Sequence, residues 1–152
     1  NPEWAAEEKL PKWSERAIRS FCLAETVARK MNYSTVGTES LLTGIMLEGT
    51  SPAAKFLRAN GITLSKVKTQ TLIDVGYVHP HLAPFRKVIP ISEEAQKALD
   101  LAVEEKIKSG ASGEVTTSHM LLGIWAHKGS AGHTMLANLG FDDKKAEELA
   151  TS

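Results

Sequence analysis

Thr38-Glu-Ser-Leu-Leu-Thr-Gly-Ile-Met46 returns later in the chain as Thr117-Ser-His-Met-Leu-Leu-Gly-Ile-Trp125. Thr, Leu, Gly and Ile keep their places at an offset of 79 residues. The register continues downstream: Ser51 falls on Ser130, Leu57 on Leu136 and Gly61 on Gly140. Upstream the offset is 78, with Ser14-Glu-Arg-Ala17 on Ser92-Glu-Glu-Ala95 and Leu23-Ala24 on Leu101-Ala102. The one-residue slip falls in the loops 32–37 and 110–116. A self-match this long, broken only at a loop, marks a duplicated supersecondary unit. The chain divides into an N-terminal arm (1–13), a first repeat (14–76), a Pro-rich linker (77–91) and a second repeat (92–152). The expectation is one integrated domain.

Each repeat reads as four helices, giving an all-α fold of about eight helices with pseudo-twofold symmetry. Ser14 caps the first helix, and Glu15 sits in its first turn, where the helix dipole favours an anion. Ala17, Phe21, Ala24, Ala28 and Met31 recur at helical spacing, with Ile18 and Cys22 beside them. Thr38 opens a second helix. Ser51-Pro52 is a cap followed by proline at the first helical position. Asn60-Gly61 ends that helix in a left-handed cap, and Thr63 starts the fourth. Ser92, Thr117, Ser130 and Asp142 open the helices of the second repeat. Gly44 and Gly123 fall mid-helix at matching positions. Glycine costs a helix about 0.8–1 kcal/mol there, so close helix–helix approach is the expected reason.

The chain has 152 residues, with 42% hydrophobic and 24% charged, enough for a substantial core. Lys+Arg and Asp+Glu are 18 each, so no basic excess points to nucleic acid or to a polybasic membrane surface. The balance hides a split: residues 14–76 carry a net +3 and residues 92–152 a net −4. No apolar run approaches the roughly 18 residues of a membrane span. The single cysteine, Cys22, excludes an internal disulfide framework and a cysteine-based zinc site. Within its apolar helical pattern it reads as a small buried hydrophobe.

Chemistry-bearing motifs are sparse. No P-loop, Gly-x-Ser-x-Gly or His-Glu-x-x-His pattern occurs, and no catalytic residue, cofactor or metal is expected. His79-Pro-His81 is a weak metal pair in the linker. His119, His127 and His133 stand near helix ends, and a hydrolase built on His119 or His133 would need a Ser or Thr and a carboxylate within hydrogen-bond reach. Glu104, Glu105, Lys106 and Lys108 read as a solvated helix face. Three of the six prolines lie in 77–91, so this stretch is extended, and its hydrophobes (Tyr77, Leu82, Phe85, Val88, Ile89) must pack on the chain's own helices or on a partner. Trp4 and Trp13 either cover the bundle or anchor a partner. Trp125, opposite Met46, is expected in the core.

The motif Ser14-Glu-Arg-Ala, Gly37-Thr38-Glu39, Leu41-Leu42, Gly44-Ile45, Glu48-Gly49, Ala54, Phe56-Leu57 and Asn60-Gly61-Ile62 resembles the Clp N-terminal repeat. That double repeat caps Clp-type AAA+ chaperones such as ClpA and ClpC. The leader Pro11-Lys-Trp-Ser-Glu-Arg-Ala-Ile-Arg-Ser-Phe21 looks most like the ClpT-type accessory subunits of the plant plastid Clp protease. The resemblance implies a non-catalytic subunit that binds the ClpP/ClpR core and supports its assembly or regulates it. It also implies a chloroplast stroma address, with a transit peptide removed before Asn1. Candidate contacts are Trp4, Trp13, Tyr77, Phe85 and Arg86. The alternative is a module that receives adaptors or substrates, as the N-domains of the chaperones do. In bacterial relatives the Glu of the Thr-Glu pair helps bind phosphoarginine-tagged substrates. Thr38 and Glu39 match that pair. The second copy has Thr117-Ser118, so its site is expected to be dead. Glu39 also reads simply as a first-turn acid on the dipole.

Overall fold

The computed structural model describes residues 11–71, 88–110 and 113–152. Among the described residues there are eight helices: α1 Glu15–Lys30, α2 Thr38–Glu48, α3 Pro52–Ala59, α4 Leu64–Thr71, α5 Glu93–Lys108, α6 Thr117–Ala126, α7 Ala131–Asn138 and α8 Asp143–Thr151. The helices of the second repeat match those of the first in order and nearly in length. The expected caps form: the side chains of Ser14, Ser51, Ser92, Ser130 and Asp142 each accept an amide hydrogen from the helix they start. Thr63 does the same for Lys66 at 3.3 Å. Thr38 and Thr117 open their helices as expected. Gly37 and Thr116 are the caps, and Thr38 and Thr117 are the first helical residues, both buried. Gly61 and Gly140 close α3 and α7 in the left-handed region, at φ +80° and +100°. After each turn the chain re-enters through Ile62 N–H and Phe141 N–H, which donate to Leu57 and Leu136 C=O at 2.9 Å.

α2 and α6 are the centre of the molecule. Thr38 and Ser40 to Met46 are buried, as is most of α6, so neither helix is amphipathic. Leu41, Leu42, Ile45, Met120, Leu121 and Ile124 form the middle of the core. Full burial of side chains like these contributes about 1.5–3 kcal/mol each. The outer helices α1 and α5 lie across α2 and α6 at very short range. A Cβ at Gly44 would sit 2.2 Å from Ser20 C=O, and one at Gly123 would sit 2.2 Å from Ala98 C=O. The mid-helix glycines are therefore packing residues in both copies.

The repeats interlock. α2 packs against α7 of the other repeat, and α3 packs against α6. The cross-links are reciprocal. Trp13 pairs with Val115 as a parallel bridge, and Ile91 pairs with Val36. Val115 N–H donates to Lys12 C=O at 2.7 Å, and Ser14 N–H to Val115 C=O at 2.9 Å. In the mirror position Val36 N–H donates to Pro90 C=O at 2.9 Å, and Ser92 N–H to Val36 C=O at 3.0 Å. Each repeat thus fixes the entry of the other's first helix. Ile89, at the end of the linker, joins the core, while Val88 is exposed.

Cys22 departs from its expected burial: it is exposed. The buried stripe of α1 runs through Ala17, Ser20, Ala24, Val27 and Ala28. At about 100° per residue, position 22 points well away from that stripe. Ile18, 51% exposed, lies off the stripe as well.

Candidate functional site

The caps do more than start helices, because the fold gathers them in two groups of three. Val36 bridges to Ile91, and Thr38 Oγ1 accepts Gly132 N–H at 2.7 Å in a buried bond. The starts of α2, α5 and α7 therefore meet. The symmetric group brings together the starts of α1, α3 and α6 around a cavity of about 460 Å³, with Ser14, Ser51, Pro52, Thr116, Thr117 and Ser118 among its walls.

The two groups differ in their side chains. In the first, the Glu39 carboxylate lies over Gly37: a Cβ there would come within 2.6 Å of both carboxylate oxygens. Thr38 is held by α7. In the second, Thr117 Oγ1 is buried and has no hydrogen-bond partner among the described residues, and Ser118 replaces the carboxylate. The reason lies on α3. Gly132 lets the α7 backbone close on Thr38, a Cβ at Gly132 falling 2.9 Å from Thr38 Cβ. Its counterpart is Ala53, which already carries that methyl. Arg16 and Arg19 line the second cavity, but so do Glu15 and Glu114. Arg16 Nε donates to Thr50 Oγ1 at 3.1 Å, and Arg19 lies 3.8 Å from Glu15.

A third feature is a cleft of about 420 Å³ between α1 and α5, lined by Trp13, Ile18, Phe21, Leu99 and Val103 with Met120 of α6. Gln96 and Asp100 supply its polar edge. Trp13 is half-buried and packs on the core while lining this cleft, so it both covers the bundle and presents a surface.

Two of the described histidines, His119 and His133, are committed to the scaffold. His119 Nδ1 accepts Thr116 N–H at 2.9 Å, closing a capping box at α6. Burial lowers its pKa below the ordinary value of 6.5, Glu105 acts in the raising direction, and Lys106 adds to the lowering. His133 Nδ1 lies 2.6 Å from Trp125 C=O, and its ring stacks on Trp125 at 4.0 Å. Trp125 is half-buried, and its Nε1–H donates to Asp143 at 2.8 Å. His127 is the C-cap of α6. Glu104 and Lys108 are exposed, Glu105 and Lys106 are half-buried, and Glu105 pairs with Lys108 at 3.5 Å.

Of the expected contact residues, the fold places Trp13 on the α1–α5 cleft. Thr38 and Glu39 stand together at the start of α2. Trp4, Tyr77, Phe85, Arg86 and the His79–His81 pair lie outside the described residues. Arg16, Arg19 and the cleft residues Phe21, Leu99 and Val103 were not marked by the sequence. The signal that could have found the cleft is Ile18, an apolar residue that lies off the buried stripe of α1.

Residues 12–139 match the Clp repeat (R) N-terminal domain. The chain belongs to the Clp N-terminal repeat family. Among curated relatives in this family, it is 34% identical over 140 residues to the ClpA homologue of the Clp protease ATP-binding subunit from Cyanidium caldarium, covering 91% of this chain and 16% of that protein. It is 32% identical over 131 residues to chloroplastic chaperone ClpC1 of Arabidopsis thaliana, covering 86% of this chain and 14% of that protein. The chain thus spans about one-sixth of the length of these Clp relatives, or less. The fold is shared with the N-terminal domain of ClpD from Arabidopsis thaliana (TM-score 0.68, 21% identity, 92% of each chain). It is shared too with the Hsp104 N-terminal domain from Candida albicans (TM-score 0.70, 16% identity, 93% of this chain and 90% of that one).

Proposed function

We propose that this Clp N-type unit is a non-catalytic protein-binding module of the plastid Clp system, an accessory subunit that docks on the ClpP/ClpR core in the chloroplast stroma. The single observation that carries the reading is the open apolar cleft between α1 and α5, with Trp13 of the arm lining it. Ser14, Thr116 and His119 are spent on helix caps, and the chloroplast Clp proteins are similar over most of the chain. Binding to the assembled ring alone would favour assembly by mass action.

A second reading is favoured by one observation: the Thr38-Glu39 pair is kept at the start of α2, with Glu39 half-exposed. Such a module would receive an adaptor or a tagged substrate there, and Glu39→Ala would weaken it. Co-elution of the purified chain with ClpP/ClpR rings, run beside a ClpC-type chaperone, separates the two. The accessory reading expects co-elution with the rings, weakened by joint substitution of Trp4, Trp13 and Phe85 with alanine. Co-elution with the chaperone alone, sensitive to Glu39→Ala, would replace it with the receptor reading.

A further inference from the structure

The capping box of α6 contains an unusual member. Its third helical position is His119, where α2 has Ser40. Thr116 N–H donates to His119 Nδ1 at 2.9 Å, and His119 N–H donates back to Thr116 Oγ1 at 3.4 Å. Glu or Gln usually fills this place, and both accept at any neutral pH. An imidazole nitrogen accepts only while it carries no proton. The residue before the box, Val115, holds the N-terminal arm through its bonds to Lys12 and Ser14 on either side of Trp13.

We propose that His119 is a pH-sensitive latch: the neutral ring fixes the Val115–Thr116 turn that holds the arm at Trp13, and protonation releases it. With a proton on Nδ1, two donors would face each other across the 2.9 Å now bridged by a hydrogen bond. The new N–H can turn to Thr116 Oγ1, 3.2 Å away, but the Thr116 amide then loses its acceptor. A positive ring would also sit at the positive end of α6. α5 presents Glu105, which favours the charged ring, and Lys106, which opposes it, and Lys108 joins Glu105 and His119 on the wall of a further cavity of about 780 Å³. α3 and α8 line that cavity with Pro52, Leu149, Ala150 and Ser152, whose side chains do not titrate. Burial outweighs the carboxylate, so the latch is closed at neutral pH and opens on acidification below about 6.5.

The first repeat supplies an internal control. Its equivalent bridge, Val36 to Pro90 and Ser92, rests on a helix start with Ser40, which has no proton to gain in this range. Amide hydrogen exchange on the full chain, corrected for intrinsic pH dependence, compares the two. As pH falls from about 7.5 through the lowered pKa of His119, protection at Val115 should fall relative to Val36 by about fivefold, the loss of one helix cap. His119→Gln keeps an acceptor and removes the titration, so its ratio should stay flat. A constant ratio in the wild type, or the same pH dependence in His119→Gln, would overturn the latch. Should that variant fail to fold, nitrogen-15 shifts of the wild-type ring decide. Nδ1 unprotonated at neutral pH supports the latch, and a protonated Nδ1 overturns it.

Discussion

At the start of α2, Thr38 receives Gly132 N–H from the opposite repeat; at the start of α6, the matching Thr117 hydroxyl is buried without a partner among the described residues. The backbone around the two is nearly the same, down to the reciprocal bridges at Val36 and Val115. At the point of contact the difference is one methyl, Gly132 against Ala53, and Ser118 and His119 stand where the first copy has Glu39 and Ser40. The duplication has kept the backbone cross-links, on which both repeats depend, and has let the side chains at the helix starts diverge. Charge has diverged with them, to +3 in one repeat and −4 in the other. Faces of opposite sign do not suit the same partner surface equally well, and salt should affect their contacts differently.

The hardest way to break the equivalence of the repeats is at their closest approach. Gly44→Ala and Gly123→Ala each push a methyl to 2.2 Å from a backbone oxygen of α1 or α5. Each should cost about 3 kcal/mol or more, and urea unfolding should remain a single transition because the repeats share a core. Loss of one repeat with the other still folded would show that the interlock is not cooperative. Next comes the threonine pair. Thr38→Val leaves Gly132 N–H buried without its acceptor and should cost about 1–3 kcal/mol, whereas Thr117→Val removes a hydroxyl with no hydrogen-bond partner among the described residues and should be neutral or stabilising. Equal losses in denaturation curves would mean that Thr117 has a partner after all.

Acidification sharpens the comparison at the next position. His119 has a lowered pKa in the folded chain, so the unfolded chain takes up its proton first as pH falls. Its contribution is complete above about 6.5 and is lost as pH drops through the folded value, while Ser40 contributes no such slope. His119→Gln should flatten the stability profile of the wild type on that side. The smallest effect is expected from Ser118→Glu, which restores the carboxylate found at Glu39. At a helix N-terminus it should add only about 0.5 kcal/mol in thermal unfolding.

Much of this was legible in the chain. Period, caps and turn glycines reveal four helices per repeat because those signals are local. Gly44 and Gly123 announced close packing because glycine inside two matching helices has little other use. The cross-repeat bridges were invisible, since nothing in Trp13 or Val115 names a partner about a hundred residues away. Thr38 and Thr117 open their helices as read, while the caps before them, Gly37 and Thr116, were not named because only burial and hydrogen bonding tell the neighbours apart. Cys22 was misjudged because the apolar residues of α1 outnumber its buried stripe. Of the candidate site, the Thr38-Glu39 pair could be read directly. The cleft could not, because it is made by two helices from different repeats.

The cleft between α1 and α5 is the proposed docking surface for a ClpP/ClpR ring. Ile18 lines it yet is half-exposed, so Ile18→Asp should leave the fold intact by circular dichroism. Titration of assembled rings with labelled wild-type and Ile18→Asp chains is the most direct test. The account predicts that the wild type binds and that the variant loses about tenfold or more in affinity. Binding of the two with equal affinity would contradict it.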